Sequence, residues 1–188
     1  MTCFLQTFNL HKVPLPQPYI MNKKSIGKYL TFKFAGRKSK ISGVVLDYND
    51  DWTLIRSCID YLPEGFTIFR NKKVDFYYGE LEKMATKILK LRQYEYKNDP
   101  IIPLGSLDEI LKSIDKKYGL IFLDTKKGDA SDVVKYLGQS DSFYLFDALL
   151  TTAKWGYRLN LPEKECRFIH FDNNYLNSLK LLTKFKEP

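Results

Sequence analysis

The chain has 188 residues, 44% hydrophobic and 28% charged, with a net charge of +8. That apolar share excludes a disordered chain, and the length allows one large core or two small ones, since a unit of about 60 residues is marginal alone. Three widely spaced cysteines (Cys3, Cys58, Cys166) exclude a disulfide framework and a zinc knuckle, and no apolar run reaches the ~18 residues of a membrane span, so a soluble, cytoplasmic protein is expected.

Residues 1–20 contain Pro14, Pro16 and Pro18, which forbid a continuous helix, so an extended arm is expected. Met21-Asn22-Lys23-Lys24 resembles a translation start, which would make that arm dispensable. The charge is then concentrated: Lys23, Lys24, Lys28, Lys33, Arg37, Lys38 and Lys40 occur over residues 21–46 without one acid. A one-signed patch of this kind raises the local concentration of polyanions.

Leu30, Phe32 and Phe34 alternate with polar residues, residues 35–38 supply a turn, and residues 41–46 form a second apolar run broken by Gly43. Turns at Asn49-Asp50-Asp51, Pro63-Glu64-Gly65 and Arg70-Asn71-Lys72-Lys73 separate three further strands, over residues 52–58, 66–70 and 74–78. Five short strands with a glycine inside one of them predict a small, strongly bent barrel. Leu81, Met84, Ala85, Ile88 and Leu89 recur at helical spacing and predict an amphipathic helix. Asn98-Asp99-Pro100 reads as the start of a linker.

The second half follows the same plan. Ser106 and Glu109 make a capping box for a helix that Gly119 stops. Strands are expected over residues 120–123, 133–137, 143–150, 157–159 and 167–171, then a helix from about Asn173. Trp52 precedes Gly65 by the same 13 positions that separate Phe143 from Gly156, which predicts a tandem duplication. The expected fold class is α+β, mainly β: tandem five-stranded SH3-like barrels, each packed with an amphipathic helix. The expected boundaries are an arm over 1–20, a first barrel with its helix over 21–98, a linker over 99–105 and a divergent second barrel over 106–188.

Two segments, YLTFKFAGRKSKISGVVLDYNDDWTLI and EGFTIFRNKKVDFYY, resemble the two conserved segments of Sm and Sm-like domains across residues 29–78. The resemblance implies RNA binding, with two turns facing the nucleic acid. The first would be Asn49, Asp50, Asp51, Trp52 and Thr53, and the second Arg70 and Asn71. Asp51 stands where the family stacks a base, Thr53 where it presents an amide, and Asn71 where it has glycine; Arg70 alone matches.

The expected nucleic-acid-binding face is therefore Lys33, Arg37, Lys38, Lys40, Arg70, Asn71, Lys72 and Lys73, with Trp52 and Thr53 as stacking or loop contacts. Lysines outnumber arginines, which favours attraction to phosphate over bidentate reading of bases. The two histidines, His11 and His170, stand in no nucleophile or metal pattern, so neither a catalytic residue, a metal site nor a cofactor is expected. Two binding readings follow. One is a non-catalytic protein that grips nucleic acid, RNA ahead of DNA, without sequence preference. The other is a protein-interaction module, such as an immunity protein or a regulatory adaptor, using exposed strand edges. A monomer or dimer is expected rather than a ring, because helices over 80–91 and 173–184 would cover those edges.

Overall fold

The computed structural model describes residues 20–125 and 131–184, so the expected arm lies outside the described residues except for Ile20. Strands β1 (Tyr29–Phe34) and β2 (Ile41–Tyr48) form the first hairpin. Strands β3 (Trp52–Ile59) and β4 (Leu62–Arg70) form the second, and the short β5 (Val74–Tyr77) returns to pair with β1.

The turn between β3 and β4 falls at Asp60 and Tyr61, not at Pro63-Glu64-Gly65. Both residues have positive φ (49° and 62°), the two-residue geometry whose twist matches that of paired strands. Gly65 instead marks a bulge where the β3–β4 register shifts. Its φ is +61°, and an added Cβ would come within 2.7–2.9 Å of Asn173. A glycine here lets β4 approach the residue whose side-chain Oδ1 accepts the Leu176 amide at the start of the last helix.

Helix α1 (Glu80–Leu91) packs on β1 by a face rotated from the one its apolar spacing suggests, keeping Ala85 and Leu89 but not Leu81 and Met84. Glu82 is buried with the pair that is kept, while Leu81 and Met84 are exposed. Polar contacts decide the rotation: the Glu82 carboxylate accepts the Gly79 amide (2.8 Å), and Thr86 Oγ1 accepts the Tyr29 amide of β1 (3.1 Å). Helix α2 (Leu107–Tyr118) is capped by Ser106 and ends at Gly119, φ 76°. It is followed by β6 (Ile121–Thr125), β7 (Ser131–Ser140), β8 (Phe143–Leu149), β9 (Trp155–Pro162), β10 (Cys166–Phe171) and helix α3 (Asn174–Lys184).

The expected pair of closed barrels does not form. All ten strands make one open antiparallel sheet in the order β5-β1-β2-β3-β4-β10-β6-β7-β8-β9. Each half uses the same internal order, with its last strand beside its first: β5-β1-β2-β3-β4, then β10-β6-β7-β8-β9. Closure of the first half would need the outer edge of β4, which β10 occupies through the pairs Phe168↔Phe69, Ile169↔Ile68, His170↔Thr67 and Phe171↔Phe66. The cause is apolar surface on both faces. Residues 65–69 of β4 are buried without alternation, and such a strand belongs in the middle of a covered sheet.

The seam carries the packing between the halves. Phe171 stacks on Phe66 (5.2 Å, 18°) and meets Tyr118 of α2 (5.0 Å). The largest core cluster contains Leu54 and Ile68 from the first half, Ile110, Phe146 and Ile169 from the second, and Ile102 from the expected linker. On the opposite sheet face Phe34 and Phe69 pack against Phe168, and Phe32 packs against Phe69. Helix α3 covers Leu120, Val133 and Leu149 with Leu176 and Leu179. Among the described residues no helix is long and apolar enough to cross a membrane.

Candidate nucleic-acid interface

Three connections meet at one end of the seam: the β1–β2 turn, the β4–β5 turn and the segment from Glu163 to Arg167 that leads into β10. They line two hollows of about 770 and 760 Å³ that share Ala35, Gly36 and Lys73 and so form one groove. Among the described residues its basic side chains are Lys33, Arg37, Lys38, Arg70, Lys72, Lys73, Lys164 and Arg167, against two carboxylates, Asp75 and Glu163. A concave surface so lined focuses positive potential.

The arginines act as framework. Arg37 lies over the Phe168 ring (4.5 Å), donates from Nη1 to Asp124 Oδ2 (2.5 Å) and from Nε to Ser39 Oγ (2.8 Å). Arg167 lies 5.4 Å from the Phe34 ring and 5.3 Å from that of Phe168, and donates to the Ala35 carbonyl (3.3 Å). Burial first, and then the neighbouring Arg37, hold its pKa below the usual guanidinium range, with Asp124 opposing. Together these two arginines fasten the β1–β2 turn to β10. Arg70 lies over the Trp52 ring (4.3 Å) and donates to Glu163.

The lysines differ. Lys33, Lys38, Lys72, Lys73 and Lys164 are all exposed, and none forms an ion pair with a described residue. Lys40, just outside the groove, sits 5.7 Å from the Tyr77 ring. Asn71 ties two turns together: its amide donates to Asp51 O (2.8 Å), its Nδ2 to Asn49 O (2.6 Å), and its Oδ1 accepts from Thr53 Oγ1 (2.6 Å). Asn49 Oδ1 in turn accepts the amides of Asp51 (2.9 Å) and Trp52 (2.7 Å). Trp52 and Thr53 are buried, so neither ring nor hydroxyl is presented to the groove.

The structure thus brings Lys33, Arg37, Lys38, Arg70, Asn71, Lys72 and Lys73 to one place, and sets Trp52 and Thr53 behind them as support. Sequence reasoning missed Glu163, Lys164 and Arg167. Nothing local marks them, because they reach the groove only through the β4–β10 pairing, with Glu163 lying 93 positions from Arg70.

Behind the groove, His170 on β10 shares a hydrogen bond with Thr67 Oγ1 (2.8 Å), which also meets Ser57 Oγ (2.6 Å). Burial pulls the imidazole pKa down to about 4, against the attraction of Asp124. The folded protein therefore carries a neutral His170, whereas the unfolded chain takes up a proton near pH 6.5. Stability is full above pH ~6.5 and falls on acidification toward pH ~4, by on the order of 2 kcal/mol given the ring's partial exposure. Urea midpoints measured across that range should show the decline, and His170→Gln should flatten it.

Compared with protein-family models, with curated proteins and with solved structures, the chain matches none significantly.

Proposed function

We propose that this protein is a non-catalytic binding protein that holds nucleic acid in the groove, RNA ahead of DNA, through its phosphates and without sequence preference. The observation that carries the reading is the set of five exposed lysines without an ion pair among the described residues: Lys33 at the end of β1, and Lys38, Lys72, Lys73 and Lys164 converging from three connections of the sheet. Each is a point charge suited to phosphate. The groove side chains that could read a base bidentately are already held: the arginines by Asp124, Ala35 and Glu163, and Asn71 by Asn49 and Thr53. The preference for RNA rests on the Sm-like resemblance of residues 29–78. The test is binding of a mixed-sequence RNA followed by fluorescence anisotropy while salt is raised. A steep linear fall of log affinity against log salt is expected, and no binding at about 20 mM salt would sink the reading.

One observation favours a protein partner as the second reading. Strand β9 holds in the second half the place of β4 in the first, yet no described strand pairs with its outer edge, whereas β10 covers that of β4. The strand is largely exposed, with Trp155 and Tyr157 about half accessible. An unpaired edge of eight residues can accept an added strand from another protein. That reading needs no phosphate and is insensitive to substitution of the groove lysines.

A further inference from the structure

Phe34, the one aromatic among the described residues that line the groove, is buried, and that decides which form of nucleic acid fits it. We infer that the ligand is a duplex, gripped along its phosphate backbone, rather than an extended single strand. This inference rests on the nucleic-acid reading above.

Single-strand binders combine a basic channel with rings on which successive bases stack, each stack contributing about 1–3 kcal/mol. The ring that lines this groove and the two behind it are unavailable. Phe34, Trp52 and Phe168 are each no more than 2% exposed. Each also lies beside a guanidinium: Arg167 near Phe34, Arg70 near Trp52, and both Arg37 and Arg167 near Phe168. To free a ring the protein would have to break Arg37–Asp124, Arg70–Glu163 or the bond from Arg167 to Ala35. Among the described residues that line the groove no other aromatic occurs.

What remains is charge, and charge favours the denser polyanion. Two strands share the axis of a duplex, so it carries twice the charge that either strand contributes along that axis; in double-stranded DNA this is one phosphate charge per ~1.7 Å, of which each strand supplies one per ~3.4 Å. Lysines approaching from three separate connections can engage phosphates of a stiff rod without paying to order it. A flexible strand loses conformational freedom on binding and here gains no stacking in return. The same geometry carries no base reading, so the preference for duplex should be indifferent to sequence.

The experiment compares a mixed-sequence RNA of about 20 nucleotides with the duplex formed from it and its complement, by anisotropy with the full chain at about 50 mM salt. The duplex is expected to bind at least ~5-fold more tightly, with two unrelated sequences agreeing within about 2-fold. Lys164→Glu, which leaves every arginine contact in place, should weaken binding of the duplex. If the single strand binds equally well or better, the duplex inference is overturned while the nucleic-acid function stands. If neither form binds at about 20 mM salt, both fall together.

Discussion

Phe171→Ala should destabilise both halves of the protein together. The ring is fully buried, stacks on Phe66 of β4 and contacts Tyr118 of α2, so its loss opens a cavity where three elements meet. Truncation of a buried phenylalanine costs about 3–5 kcal/mol, a large share of the 5–15 kcal/mol that holds a typical domain. Because the seam belongs to one continuous sheet and one shared core, that loss is not confined to the second half. Trp52 in β3 and Trp155 in β9 report on the two halves. In single-tryptophan variants that retain one or the other, urea unfolding should give coincident midpoints, displaced together by Phe171→Ala. Two separate transitions, of which the substitution moves only one, would show that the halves are independent.

The triple substitution Lys72→Glu, Lys73→Glu, Lys164→Glu should abolish nucleic-acid binding and leave the fold intact. All three side chains are exposed and make no ion pair among the described residues, so stability should change by no more than about 0.5 kcal/mol. The reversal turns three phosphate contacts into three repulsions. Affinity at low salt should fall by at least ~100-fold, and any binding that survives should show a salt dependence shallower by roughly 2–3 in slope. A control with the same change of net charge, Lys24→Glu, Lys87→Glu, Lys116→Glu, places the reversals at exposed positions that do not line the groove. It should lose far less affinity. Equal losses in both variants would mean that net charge acts and the groove does not. Arg70 is a poor choice for such a test: a carboxylate there would uncover Trp52 and face Glu163, so lost binding could not be separated from a damaged fold.

Strand existence was legible because alternation and turn chemistry act locally. Leu30, Phe32 and Phe34 all point into one cluster, as their spacing in the sequence implies. The capping of α2 was legible for the same reason, since Ser106 and Glu109 are three residues apart and bond to each other's backbone amides. The turn at Asp60 and Tyr61 was not, because nothing in those residue types announces two positive φ values when Pro-Glu-Gly stands three residues on. The buried face of α1 was legible only in part: of the five residues its apolar period picked out, Ala85 and Leu89 are buried but Leu81 and Met84 are exposed. Its orientation follows from Glu82 and Thr86, whose partners are backbone amides that periodicity does not register.

By itself the sequence determined that this chain folds mainly as short antiparallel strands with three helices, that its halves follow one plan, and that basic charge gathers around Lys33, Lys38, Lys72 and Lys73. These are consequences of side-chain spacing and charge, which each short segment carries with it. Tertiary structure alone decided that the two strand sets fuse through β4 and β10 into an open sheet, since burying Phe66, Phe69, Phe168 and Phe171 on both faces outweighs closing either half on itself. The same fusion brought Lys164 and Arg167 to the groove and set the arginines to work as framework. Contacts between residues roughly a hundred positions apart depend on which edges pair, and that choice is settled by the total apolar surface covered, a property no single segment contains.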